Sequence, residues 1–88
     1  MISGMAESHA SFMAVSPNPS KGDFVLNLNK NYRAVKVEIS AIEGKIVEEL
    51  NYNSVQSVNI YLSRPAGIYL CRVEINGFSE TKKIIKTN

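Results

Sequence analysis

The sequence predicts an all-β protein. Apolar and polar residues alternate with a period of two over most of the chain, and no window keeps the period of an amphipathic helix. Glycine, proline and asparagine interrupt the alternating runs at intervals of roughly ten residues, which is the spacing of short antiparallel strands. Since the chain has 88 residues, of which 44% are hydrophobic and 20% charged, we expect a single globular domain.

The chain opens with a stretch that shows no regular pattern. The first eleven residues are small, polar and aperiodic, so residues 1–14 are interpreted as a flexible linker remnant or a segment added by cloning. Residues 12–15 could form a short first strand at the edge of a sheet. The predicted folded domain covers residues 15–88.

A stiff turn at residues 16–22 precedes the second strand, because two prolines fix φ there and a glycine permits the chain to reverse. The second strand, residues 23–29, places Phe24, Leu26 and Leu28 on one face and polar side chains mainly on the other. This alternation is typical of a half-buried strand.

The third predicted strand, residues 34–41, shows the clearest alternation in the chain. Val35, Val37 and Ile39 are expected to point inward, with charged and hydroxyl side chains between them. Gly44 follows a glutamate and predicts a turn into the next strand.

Two further strands are predicted at residues 45–52 and 55–62, with a turn between them at residues 53–54. The inward face of the first of these strands is left unassigned, because Ile46 and Val47 are adjacent apolar residues.

The last two strands are predicted to form a hairpin. Residues 63–67 read as a loop, and residues 68–75 carry apolar side chains on both faces, which indicates a central strand. Asn76 and Gly77 tolerate the positive φ values of a type I′ turn, so they should join this strand to the final one at residues 78–87.

Seven strands in this order fit an immunoglobulin-like antiparallel β-sandwich, with a small closed barrel as the alternative. Tyr69 and Cys71 have the Tyr-x-Cys spacing of the tyrosine corner found in such sandwiches. The chain has no second cysteine and no tryptophan, so Cys71 is expected to pack as a small buried hydrophobe and to be a poor nucleophile.

The residues offer little for catalysis. His9 lies in the patternless opening stretch and Cys71 in a central strand, so they are not expected to form a nucleophile–base pair. The glutamates sit on outward strand faces, and the glycines are isolated at turns rather than grouped as in a phosphate-binding loop. One cysteine and one histidine cannot build the usual zinc sites. We therefore expect no enzyme, no catalytic residue, no metal and no cofactor.

Charge and hydropathy disfavour two classes of partner. The formal net charge is only +2, so the chain has no strong attraction to nucleic acid. Its apolar runs are far shorter than the roughly 20 residues needed to cross a bilayer, and no signal-peptide pattern is present. Neither nucleic-acid binding nor membrane insertion is expected.

Several short motifs nevertheless follow one another in a specific order. The structural motif residues are Pro17, Asn18, Pro19, Gly22, Gly44, Pro65, Gly67, Tyr69, Asn76 and Gly77, and the chain ends with Lys82, Lys83 and Lys86. In their order and spacing these motifs resemble the type A C-terminal sorting domain of the Bacteroidetes type IX secretion system, also called the Por secretion system. The resemblance covers residues 15–88.

This resemblance implies a C-terminal secretion signal rather than an enzyme. Such a domain follows an N-terminal cargo domain, passes through the periplasm and is recognised by the type IX outer-membrane translocon. A sortase-like protease then usually removes it and attaches the cargo at the cell surface, although some cargo reaches the extracellular space. The cleavage would fall within or upstream of residues 1–14. By resemblance, Lys82, Lys83 and Lys86 form the block used for translocon recognition.

Two alternatives remain open from the residues. The lysines could simply protect the edge of a terminal strand, and an exposed edge there could pair with a partner strand or support a homodimer. A different function, a fibronectin-like accessory adhesion or carbohydrate-binding module, would require an exposed aromatic platform. Tyr32, Tyr52 and Tyr61 are the candidates for that platform.

Overall fold

The computed structural model describes residues 11–88, which form five β-strands. These are β1 (Met13–Ser16), β2 (Asp23–Ala41), β3 (Ile46–Tyr61), β4 (Gly67–Ile75) and β5 (Phe78–Lys86). A strand thus lies close to the short first strand expected at residues 12–15. Most of the predicted flexible opening stretch, including His9, lies outside the described residues.

The prediction of seven strands is wrong because two pairs of predicted strands are continuous. The segments at 23–29 and 34–41 are the two ends of β2, and those at 45–52 and 55–62 are the two ends of β3. The β2–β3 ladder shifts register in the middle of β2, and Ser54 adopts a φ of 54° within β3. Ladder hydrogen bonds on both sides of this irregularity keep the backbone extended. Pairing between the strands therefore outweighs the local preference for a turn.

All five strands belong to one antiparallel sheet, with β1, β2, β4 and β5 in that order and β3 also paired to β2. The first part of β2 lies between β1 and β3, whereas its last part lies between β4 and β3. The sheet is therefore curled around its longest strand. The predicted immunoglobulin-like sandwich of two sheets is not seen in residues 11–88.

The curl brings both parts of β2 into one hydrophobic core. Phe24 and Leu26 from its first part are buried together with Val37 and Ile39 from its last part, as the alternation predicts. The other strands and the loop after β3 complete the core with Met13, Val58, Ile60, Leu62, Tyr69, Cys71, Val73, Ile75 and Ile84. Burial of these side chains is the main force that holds the curled sheet together.

The two predicted tight turns are confirmed. Ile75 pairs with Phe78, and the intervening Asn76 and Gly77 have φ values of 52° and 83°, as a two-residue type I′ hairpin requires. In the β2–β3 turn the N–H of Gly44 donates to the carbonyl of Ala41 at 2.8 Å.

The loop before β4 is held by a tyrosine. The Tyr69 hydroxyl donates a hydrogen bond to the carbonyl oxygen of Pro65 at 2.7 Å, and the ring is buried. This backward bond to the main chain is the contact that characterises a tyrosine corner. It ties Pro65, in the predicted loop, to the beginning of β4.

Candidate functional site

The opening motif lies against the last strand of the sheet. Asn18 donates from Nδ2 to the carbonyl oxygen of Lys83 at 2.7 Å, and its Oδ1 accepts the backbone N–H of Ile85 at 2.9 Å. A single amide side chain therefore satisfies one donor and one acceptor of β5, as a neighbouring strand would do.

The backbone of Ser20 extends this pairing to the end of β5. Its N–H donates to the carbonyl of Ile85 at 2.9 Å, and its carbonyl accepts the N–H of Thr87 at 2.7 Å. Pro17 and Pro19, which have no N–H groups to satisfy, lie on either side of Asn18. The motif thus covers the edge of β5 from residue 83 to residue 87, where the sequence predicts an edge open to a partner.

Gly22 closes the opening motif at a crowded position. Its φ is +125°, and an added Cβ would lie 3.1 Å from the carbonyl oxygen of Leu62. The carbonyl of Gly22 in turn accepts the N–H of Leu62 at 2.9 Å. Both the dihedral angle and the close approach require glycine here, which gives the motif a physical basis.

The three terminal lysines do not form one surface. Lys82 and Lys83 are neighbours in β5, so their side chains project to opposite faces of the sheet. Lys82 and Lys86 flank the buried Ile84 on its own side, whereas Lys83 is exposed on the outer face.

The two lysines on the inner side of β5 both contact other groups of the domain. Nζ of Lys86 donates to the carbonyl of Leu62 at 2.9 Å and also to the carbonyl of Arg64. Nζ of Lys82 lies 3.5 Å from a carboxylate oxygen of Glu80. Lys83, by contrast, takes part in no ion pair within residues 11–88.

Glu80 connects β5 to the point where the chain enters the domain. One of its carboxylate oxygens accepts the backbone N–H of Phe12 at 3.0 Å, and the other accepts the hydroxyl of Ser11. Because these residues immediately precede β1, the carboxylate anchors the entry of the chain beside the beginning of β5. Sequence reasoning did not single out Glu80, since the contact joins residues far apart in the chain.

The one cysteine of the chain lies in the interior, where burial disfavours its reactive thiolate form. Cys71 is fully buried, and desolvation raises the pKa of its thiol to about 12. Burial, and to a lesser degree the nearby Cys71, also raises the pKa of Tyr52. The thiol is therefore protonated at neutral pH, as expected for a cysteine that serves as a small core residue.

Residues 11–88 bring together no group of three or more histidine, cysteine, aspartate or glutamate side chains that could hold a metal ion. They also contain no helix that is long and apolar enough to span a membrane.

The candidate aromatic platform is not assembled. Tyr52 pairs with the buried Val35 and is half-buried against the core, and Tyr32 packs edge-on against Phe12 with 6.5 Å between ring centroids. Only Tyr61 is strongly exposed, at 63%, beside a surface groove of about 370 Å³. One strongly exposed ring among the three candidate tyrosines does not favour the carbohydrate-binding alternative.

Comparison with known proteins gives one informative match. The family model described as the secretion system C-terminal sorting domain matches residues 14–87. The matched segment includes all five strands except the first residue of β1, and it contains the opening motif and the terminal lysines. No curated protein is found to match the chain.

Proposed function

Because the chain belongs to the C-terminal sorting domains of the type IX secretion system, we propose that it takes a covalently attached N-terminal cargo through the periplasm to the outer-membrane translocon. The observation that carries this proposal is the family match, which spans nearly the whole described domain. Export to the cell surface or the extracellular space follows from this membership.

The domain acts in this proposal as a folded label and catalyses nothing itself. Support comes from what its motif residues do: they form turns, cover the edge of β5 and, in the case of Lys86, bind the carbonyls of Leu62 and Arg64, rather than surround a reacting atom. The buried Cys71 with its raised pKa fits a structural role.

A sortase-like protease is proposed to separate the label from its cargo at the surface. The tether of Ser11 and Phe12 to Glu80 supports a cut upstream of residue 11, because the chain is held in place from that residue onward. Peptide bonds that are part of a folded domain are poor substrates for proteolysis.

The test is export of a reporter. The 88-residue chain is fused behind a reporter that carries its own signal peptide, and the fusion is produced in a bacterium with an intact type IX system and in a translocon-deficient strain. We expect surface or extracellular reporter in the first strain and periplasmic reporter in the second. Retention in both strains, or export from both, would overturn the proposal.

Cleavage is read from the same fusion. Intact-mass measurement of the exported reporter should show loss of the domain, with the new C-terminus within or upstream of residues 1–10. A reporter that reaches the surface with the whole domain still attached would contradict the cleavage step but not the export step.

A further inference from the structure

The outer face of the sheet carries an exposed aliphatic patch at one end. Ile68 pairs with Ile85, and Leu70 lies opposite Ser40, which itself pairs with Ile46. Residues that face one another across strands project to the same side of a sheet, so these four apolar side chains share one surface. We call the surface formed by Ile46, Ile68, Leu70 and Ile85 the outer patch.

The outer patch is accessible to other molecules. Ile46 and Ile68 are 50% and 41% exposed, and Leu70 and Ile85 are partly exposed. Contiguous apolar patches with a polar rim mark contact surfaces when they are large, whereas isolated exposed apolar side chains are ordinary.

Some charged side chains on the outer face form ion pairs with one another, whereas Lys83 does not. Away from the outer patch, Glu38 lies 3.5 Å from Lys36 and 3.3 Å from Arg72, so these charges compensate one another. Lys83 pairs with Leu70 at the rim of the outer patch, is exposed, and forms no ion pair within residues 11–88. A partner that covers the patch would therefore gain from a carboxylate placed opposite Lys83.

The described chain enters the domain at a distance from the outer patch. The chain enters the domain beside Glu80, and Ile85 lies five residues further along β5. At about 3.4 Å per residue, the two positions are roughly 17 Å apart along the strand. A partner that covers the outer patch would thus lie away from the tether of Ser11 and Phe12 to Glu80.

We propose that the outer patch, with Lys83 at its rim, docks on a protein of the export machinery that presents an apolar surface and a carboxylate opposite Lys83. This inference rests on the proposed secretion function and names the surface by which the export machinery would bind the domain. Lys82 and Lys86 contribute to the fold rather than to the contact.

The apolar part of the proposal is tested in the same reporter fusion. Ile68→Ser combined with Ile85→Ser should lower the exported fraction about tenfold or more, as expected when central apolar contacts of an interface are removed. Phe78→Ser is the matched control, because Phe78 is 72% exposed but lies in the β4–β5 hairpin away from the outer patch. This control should be exported like the parent fusion.

The role of Lys83 in the proposal is tested with variants that change only exposed side chains. Lys83→Glu should lower export, Lys83→Arg should retain it, and Lys30→Glu, at an exposed site near the middle of β2, should have no effect. Protease resistance of the periplasmic fusion shows whether each domain remains folded. If the double isoleucine variant is protease-sensitive, the Lys83 series alone decides.

The outcomes separate the two proposals. Failure of the parent fusion to be exported overturns the secretion function itself. Export of the parent together with unchanged export of folded Lys83→Glu overturns the docking surface only. Sedimentation of the purified chain tests a second copy as occupant: a dimer that Ile68→Ser and Ile85→Ser dissociate would assign the outer patch to self-association and overturn the proposal.

Discussion

Lys86 shows how a residue expected to face a partner can instead serve the fold. Its ammonium group lies between the carbonyls of Leu62 and Arg64 and so ties the end of β5 to the loop that leaves β3. Lys83, three residues earlier, points to the other face and makes no such contact. The same residue type therefore has two roles within one short segment.

This difference predicts unequal effects of neutral substitutions on stability. Lys86→Met should lower the free energy of unfolding by about 1–3 kcal/mol, because two carbonyls lose a charged donor. Lys83→Met should change it by less than about 0.5 kcal/mol, as is usual for an exposed side chain. Urea denaturation of the purified chain measures both. Equal losses in the two variants would show that the contacts of Lys86 with the carbonyls of Leu62 and Arg64 are not important for stability.

Cys71 predicts a stability difference that depends on pH. Burial raises the pKa of its thiol to about 12, whereas the thiol of an unfolded chain ionises near 8.5–9. Between these values the unfolded state releases a proton that the folded state keeps. The stability contributed by the neutral thiol is thus complete below about pH 9 and is lost as the pH rises towards about 12.

Cys71→Ala removes this titration and provides the comparison. The stability advantage of the wild-type chain over this variant should shrink by up to roughly 1.4 kcal/mol for each pH unit above about 9. The substitution leaves the other side chains in place, so their contributions to the pH dependence largely cancel in the difference, except that of Tyr52, whose pKa depends in part on Cys71. Chemical denaturation at pH 7, 9 and 10.5 gives the result, and a constant difference would show that the thiol ionises normally in the folded chain.

At the scale of elements, the opening motif and the last strand behave as one unit. Asn18 and Ser20 occupy backbone groups of β5 that would otherwise be open to another chain. An edge strand covered in this way is protected against pairing with a second copy. The motif therefore has a structural explanation even if no partner contacts it.

Asn18→Ala should expose part of this edge. The amide of Ile85 loses its acceptor, Oδ1 of Asn18, so we expect its hydrogen exchange to accelerate by about 5- to 30-fold, corresponding to about 1–2 kcal/mol. Asn18→Asp keeps an acceptor for this amide but cannot donate to Lys83, so its effect at Ile85 should be smaller. Exchange is followed by NMR, with the amide of Val73 in β4 as the internal reference. Unchanged exchange at Ile85 would contradict the role assigned to the side chain.

At the scale of the whole molecule, the curled sheet makes the C-terminus part of the core. Ile84 is fully buried, and the residues after it hold the opening motif and the loop after β3. Deleting residues 84–88 should therefore unfold the domain, because loss of such a side chain alone costs about 2–5 kcal/mol of a total near 5–15 kcal/mol.

The matched control for this deletion is removal of Asn88 alone, which is exposed. Thermal denaturation should show a cooperative transition for the control and none for the longer deletion. A folded domain without residues 84–88 would show that the end of β5 is dispensable for the core. If the domain unfolds as expected, loss of export after a terminal deletion cannot identify a contact residue, whereas point substitutions such as Lys83→Glu can.

The sequence by itself determined the all-β class, the inward faces of β2, the type I′ hairpin at Asn76 and Gly77, and the family. These features depend on local alternation, on dihedral preferences and on motif order, all of which are written along the chain. The predicted strand count failed at the middle of β2 and β3, where pairing with neighbouring strands overrides local turn signals.

Only the tertiary structure decided what the terminal residues do. Asn18 meets Ile85, Glu80 meets Phe12, and Lys86 meets Leu62, and each contact joins segments separated by 24 to 68 positions in the chain. The curl of one continuous sheet makes these contacts possible, because it brings the two ends of β2 and the last strand around the same core. A pattern along the chain shows which face of a strand a lysine occupies, but the fold determines what that lysine contacts.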